Sequence, residues 1–141
     1  MKKVMIALYI LGLLVFASTA IAEQQETMIC NLVSVYDGDT FKCNIDGLHP
    51  IIGKNISIRL YGADTPEIRG KSEREKALAI DAKHYTLNAL SNANIIELRN
   101  VSRGKYFRIV AEVYYDGHCL SDGLIDAGLA YKYSGGTKKS W

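Results

Sequence analysis

Residues 28–45 read Met-Ile-Cys-Asn-Leu-Val-Ser-Val-Tyr-Asp-Gly-Asp-Thr-Phe-Lys-Cys-Asn-Ile, two runs of β-forming residues around Asp37-Gly38. Asp-Gly between such runs is a strong signal for a tight type I′ hairpin, so Met28 to Tyr36 and Thr40 to Ile45 are expected as its strands. Further along, Ile56, Ile58 and Leu60 alternate with Asn55, Ser57 and Arg59. That period of two predicts a third strand, with Arg59 turned away from the isoleucine face toward water or a ligand. Ile95 to Leu98 and Arg108 to Tyr115 read as two more strands.

Between the third and fourth strands the period changes. Ser72-Glu73-Arg74-Glu75 is a capping box, and Leu78, Ala82, Tyr85 and Ala89 follow at helical spacing, with Ala77, Ile80, Leu87 and Leu90 widening the apolar face. One helix is expected from about Glu73 to Ser91. A short helix over Ser121 to Ala127 should stop at Gly128, and the polar segment from Ser134 to Trp141 reads as a loop on which Trp141 either packs back or hangs free. The class is α+β, mainly β: a small, partly open five-stranded OB-fold barrel, with one long helix between strands 3 and 4 and a short C-terminal helix.

The chain begins with Lys2-Lys3, an apolar run from Val4 to Phe16, and Ala20-Ile21-Ala22. These are the three parts of a secretory signal peptide, and the apolar run is short for a membrane anchor of about 20 residues. Residues 1–22 are therefore expected to be removed near Ala22, with residues 23–141 as one domain in the periplasm or the medium and no stable membrane insertion. Lys2 and Lys3 account for the whole excess of 17 basic over 15 acidic residues. The exported part is then neutral, and attraction to a polyanion must come from local clusters of Arg and Lys. All three cysteines lie in that part, where oxidation is permitted. Cys30 and Cys43 flank the expected hairpin turn nearly symmetrically and are the expected disulfide, ahead of Cys43 with Cys119 and of three free thiols.

Three short motifs carry chemistry. Asp39 ends Asp37-Gly38-Asp39, and Asp64 and Glu67 bracket Thr65-Pro66, where the proline holds Thr65 extended. A hard divalent cation such as Ca²⁺ takes six to eight oxygens in loose geometry, so two carboxylates, a carbonyl and waters make a weak, exchangeable site. Arg59 and Arg108 have the planar fork that grips a phosphate and stays charged. Asp37 is read as a turn residue without a ligand role. His49, His84 and His118 are scattered, which disfavours a zinc or histidine-nucleophile centre. Tyr106, Tyr131 and Tyr133 are the tyrosines considered for base stacking.

Val35-x-Asp37-Gly38-Asp39-Thr40, Arg59-Leu60-x-x-x-Asp64-Thr65-Pro66-Glu67 and Lys105-Tyr106-x-Arg108, in this order with a helix between the second and third, resemble the staphylococcal nuclease (thermonuclease) family. The resemblance implies a secreted Ca²⁺-dependent endonuclease that hydrolyses DNA and RNA with low sequence specificity, leaving 3′-phosphate ends, and a monomer. It assigns Asp39 and Asp64, with the backbone carbonyl of Thr65, to Ca²⁺ and Glu67 to the attacking water. Arg59 and Arg108 fall on the scissile phosphate, and Lys105 and Tyr106 on the nucleotide end of the site. Two departures stand out. Phe107 occupies the place of the family's usual glycine before the last arginine, so the turn that aims Arg108 must be built differently, and the short segment Ile68–Lys71 leaves little flap after Glu67. The rival class is a non-catalytic OB-fold binding module; the full set of Asp39, Asp64, Glu67, Arg59 and Arg108 favours the enzyme.

Overall fold

The computed structural model describes residues 27–141, so the expected signal peptide over residues 1–22 lies outside the described residues. The elements are β1 (Met28–Val35), β2 (Thr40–Ile45), α1 (Pro50–Gly53), β3 (Ile56–Leu60), β4 (Gly62–Asp64), α2 (Glu73–Ser91), β5 (Ile96–Arg103), a 3-10 turn (Lys105–Phe107), β6 (Ile109–Tyr115), β7 (His118–Cys119), α3 (Leu120–Asp126) and β8 (Tyr131–Tyr133). The main sheet runs β3-β2-β1-β5-β6-β7, and a parallel pairing of β3 with β6 closes its first five strands on themselves, leaving β7 outside the closure. The result is a closed OB-type barrel of β1, β2, β3, β6 and β5, with the long helix between its third and fourth strands. No edge is left open on the barrel proper. Among the described residues no helix is long and apolar enough to cross a membrane.

Alternation fills the barrel. Ile56, Ile58 and Leu60 point inward beside Phe41 and Cys43 of β2, Leu98 of β5, and Ala111 and Val113 of β6, while Leu120 and Leu124 of α3 and Ala82 and Leu90 of α2 close the ends. Full burial of a ring such as that of Phe41 is worth roughly 1.5–3 kcal/mol. Cys30 and Cys43 are joined by a disulfide across β1 and β2, with Cα atoms 5.3 Å apart, and Cys119 is the free cysteine.

The β1–β2 connection is not a two-residue type I′ turn. Val35 pairs with Phe41, and the N–H groups of Tyr36 and Asp37 both donate to the Thr40 carbonyl, at 2.9 and 3.2 Å. Gly38 is not among the residues with positive φ, so left-handed freedom is not why glycine stands there. A Cβ on Gly38 would lie 2.7 Å from both the Ala82 Cβ and the Thr65 Cγ2. The bare backbone admits α2, whose buried Thr86 hydroxyl donates to the Gly38 carbonyl at 2.6 Å. This loop is shaped by the helix above it.

Helix α2 starts at its capping signal, with the Ser72 hydroxyl accepting the Glu75 N–H at 3.0 Å, but the Glu75 carboxylate takes the Lys71 N–H at 2.9 Å and not that of Ser72, so only half of the box forms. Such a cap is worth roughly 1 kcal/mol. Its buried positions are Ala79, Ala82, Thr86 and Leu90, whereas Ile80 and Leu87 are exposed. The apolar stripe is narrower than the sequence pattern implied, because small residues let the helix lie close to the barrel. A second, two-stranded sheet pairs β4 with β8, placing Asp64 opposite Tyr131.

Candidate active site

Asp39 stands where the β1–β2 loop, β3 and the chain after β4 meet. Its carbonyl accepts the Leu60 N–H at 2.8 Å. Its carboxylate accepts the Thr40 hydroxyl at 3.0 Å and an Arg59 N–H on Oδ1, and the Thr65 N–H on Oδ2 at 3.1 Å. Asp64, the last residue of β4, accepts the other Arg59 Nη on Oδ1 at 3.0 Å. One guanidinium therefore spans two carboxylates that are 1% and 2% exposed. Taking such charges out of water is expensive, and the fork of Arg59 offsets much of that cost.

Asp37 belongs to this cluster, contrary to its reading as a turn residue alone. Its buried side chain accepts the Asp39 N–H at 3.2 Å. Burial, and then the charge of Asp39 beside it, pushes its pKa up to about 7. The sequence did carry a signal, an acid two residues before Asp39, but it stood in a pattern that reads equally well as turn chemistry.

Glu67, beyond Pro66, keeps a largely exposed side chain, and its carbonyl accepts the Gly70 N–H at 2.8 Å. Its carboxylate is met by Lys138, which lies in the polar segment from Ser134 to Trp141. The Lys138 ammonium lies 3.0 Å from Glu67 Oε1 and 2.7 Å from Asp64 Oδ1. Burial alone would lower the lysine, but the bonds and charges of Asp64 and Glu67 outweigh it and hold its pKa above the usual range.

Lys105, Tyr106 and Arg108 are not brought into bonds with these acids. Tyr106 is 90% exposed on the 3-10 turn. Tyr106 and Phe107 both take left-handed backbone, with φ of +56° and +57°, and the Gly104 N–H donates to the Arg108 carbonyl at 2.8 Å to close the turn. Phe107 thus adopts the conformation a glycine would take more cheaply. Arg108 lines an apolar pocket of about 360 Å³ with Met28, Ile52, Val101 and Phe107, and its Nε is buried without a hydrogen-bond partner. In the parallel β3–β6 register Arg59 lies beside Val110, so Arg108, two residues earlier, starts on the same face of the sheet as Arg59.

The family model described as "Staphylococcal nuclease homologue" matches residues 57–140, more than half of the chain. The chain belongs to the staphylococcal nuclease family. Similar to it is a Haemophilus influenzae protein named "Uncharacterized endonuclease", 28% identical over 122 residues that cover 86% of this chain and 62% of the relative. Another is "Endonuclease YncB" of Bacillus subtilis, 30% identical over 129 residues that cover 86% of this chain and 58% of the relative. The chain spans about three fifths of the length of these two proteins.

Staphylococcal nuclease family members are generally Ca²⁺-dependent, and the donors here can be tested against that ion. Among the described residues no three His, Cys, Asp or Glu side chains are grouped as a metal cage. A set of two carboxylates and a backbone carbonyl needs no third side chain. Asp39 and Asp64 lie within the span of one guanidinium, and the Thr65 N–H, one residue's backbone away from the Thr65 carbonyl, donates to Asp39. All the donors are hard oxygens. The residues fit Ca²⁺ in kind, and the loose geometry it accepts suits it better than Mg²⁺.

Proposed function

We propose that this protein is an exported, Ca²⁺-dependent nuclease that hydrolyses phosphodiester bonds in DNA and RNA with low sequence specificity, as a monomer released by signal cleavage near Ala22. The observation that carries the reading is the buried Asp39–Asp64 pair bridged by Arg59, with Glu67 at its margin. The family match and the endonuclease names of the two relatives support a nuclease hydrolase.

Asp39, Asp64 and the Thr65 carbonyl would hold Ca²⁺, which supplies charge neutralisation at the phosphate and a template for the substrate. Glu67 accepts the proton of the water that attacks phosphorus. The bond from phosphorus to the 5′-oxygen breaks, that oxygen takes a proton from solvent water, and the cut strand is left as one fragment ending in a 3′-phosphate and another beginning with a 5′-hydroxyl. Arg59 spends donors on Asp39 and Asp64, yet a guanidinium has five N–H donors and keeps others for the phosphate. Arg108, on the same face and engaged with neither acid, is the second phosphate donor. Lys105 and Tyr106, on the exposed turn before it, are assigned to the nucleotide by the family resemblance. In phosphoryl transfer such groups act by position and charge, and losing one donor costs on the order of 10²- to 10³-fold in rate.

The test is incubation of the exported protein with plasmid DNA and with RNA. Cleavage of both is expected in Ca²⁺, with none in excess chelator and poor activity in Mg²⁺. Full activity in chelator would remove the metal assignment. Tight nucleic-acid binding without cleavage under every metal would favour a non-catalytic OB-fold module.

A further inference from the structure

The segment after β8 is built into the fold. Gly135 and Gly136, with φ of +110° and +93°, turn the chain, and the Tyr133 hydroxyl donates to the Gly136 carbonyl at 2.9 Å. Trp141 stacks on Tyr131 with ring centroids 4.1 Å apart and planes 20° from parallel. Lys138 lies between these anchors and reaches Asp64 and Glu67. Because β8 pairs with β4, with Tyr131 opposite Asp64, one small sheet carries the acid, the aromatic anchor and the segment that bears the lysine.

We propose that Lys138 is a positioning residue of the site, holding the Glu67 carboxylate beside Asp64; the proposal rests on the nuclease reading above. The need for it follows from the chain around Glu67. The loop Ile68–Lys71 is short, and among the described residues the local hydrogen bond at Glu67 is the one its backbone carbonyl accepts from Gly70. Among the described residues Lys138 is the one side chain that bonds the Glu67 carboxylate. A glutamate with three free torsions is a poor base unless something selects its orientation. The geometry at Asp64 also speaks against a lysine that merely blocks the cation position. Arg59 and Lys138 both meet Oδ1, and Oδ2 takes part in neither bond. An ammonium bridging two carboxylates from the side fixes both while leaving a second oxygen of Asp64 for another partner.

The experiment compares wild type with Lys138→Met, Lys138→Arg, Trp141→Ala and, as a charge-matched control, Lys139→Met. It reads kcat and KM on DNA, Ca²⁺ affinity by calorimetry, and the emission of Trp141, the only tryptophan in the chain. Lys138→Met should lower kcat roughly 10- to 100-fold, the loss expected of a misplaced catalytic group, while KM and the Ca²⁺ Kd move less than about threefold. Lys138→Arg should recover most of the rate, and Lys139→Met should leave it unchanged. Trp141→Ala should reproduce the kcat loss, with no further loss when combined with Lys138→Met. Lys138→Met added to Glu67→Gln should likewise cost nothing more, because the lysine acts through the glutamate. In Lys138→Met the Trp141 emission should stay that of wild type, which separates lost positioning from a detached segment.

Tighter Ca²⁺ binding with faster turnover in Lys138→Met would make the lysine a competing cation and overturn the proposal. Unchanged kcat, or a loss that multiplies with that of Glu67→Gln, would overturn it too. A wild type that cleaves neither DNA nor RNA would overturn the nuclease reading itself, an outcome distinct from an active wild type indifferent to Lys138.

Discussion

Arg59 and Arg108 start from the same face of one closed sheet, yet the molecule treats them differently. Arg59 is locked between Asp39 and Asp64, and Asp39 is in turn tied to Thr40, Leu60 and Thr65. Arg108 follows two residues in left-handed backbone, and its Nε is buried without a partner. The first arginine is part of the fold's electrostatic balance, while the second is held in place by backbone and packing alone. Removing either should slow catalysis, but only the loss of Arg59 should also loosen the protein.

The largest effect expected is at Glu67, which belongs to neither class and has an exposed side chain. Glu67→Gln should lower kcat by roughly 10²- to 10⁴-fold, the range of general-base assistance, while calorimetry finds Ca²⁺ binding nearly intact. A loss of Ca²⁺ affinity instead would move Glu67 into the locked cluster as a metal ligand. Next, Arg59→Ala should cost about 10²- to 10³-fold in rate and, in chelator, about 3 kcal/mol of stability. The second figure is the low end for breaking a buried pair, since Lys138 still faces Asp64. Arg108→Ala should lose roughly 10²-fold in rate with its urea midpoint unchanged. Equal destabilisation by the two substitutions would show that the Asp39–Arg59–Asp64 bridge adds no stability beyond what packing gives Arg108.

A smaller effect is expected from Asp37. Its folded pKa of about 7 lies above the 3.8 of an unperturbed aspartate, so the folded chain binds that proton more tightly. The corresponding stability is fully present below about pH 4 and is lost as pH rises through about 7. In chelator, the unfolding free energy of wild type, read from urea titrations, should therefore fall between pH 4 and pH 7 by on the order of 3 kcal/mol relative to Asp37→Asn, which cannot titrate. Parallel curves for the two proteins would show that Asp37 is not stressed by its neighbours. The smallest effect is at the turn before Arg108, where Phe107→Gly should be more stable than Phe107→Ala by about 1 kcal/mol. Both lose the ring, but only glycine relieves the positive φ. Equal stabilities would mean that the turn is not strained.

Much of the fold was legible because its signals are local. Alternation at Ile56, Ile58 and Leu60 and the Ser72 cap each report on neighbours in sequence, and the strands and long helix followed from such patterns. The hairpin turn was misread because Gly38 answers to Ala82 and Thr65, which come near it only in space. Ile80 and Leu87 misled for a related reason. A hydrophobic count widens a helical stripe, whereas the small residues Ala79 and Ala82 decide how closely the helix sits. At the site, the acids were visible as motifs, and the structure gathers Asp39, Asp64, Thr65 and Arg59 while leaving Lys105, Tyr106 and Arg108 without bonds to them. Lys138 was invisible because a lysine in a polar, glycine-containing segment looks like solvent-facing charge until β8 pairs with β4.

The parallel seam between β3 and β6 sets a clock as well as a shape. It joins Ile58 to Ile109, and the small sheet beside it joins Asp64 to Tyr131, pairings between stretches that are far apart along the chain. Loop-closure entropy makes such non-local contacts late and slow, placing barrels of this kind toward the millisecond-to-second end of folding. Arg59 and Arg108 come to share a face only when that seam closes, and Lys138 meets Glu67 only when the last strand is laid down. A chain threaded unfolded through a membrane would thus carry no assembled site in transit, and in a refolding experiment competence should appear with the slowest phase of barrel closure.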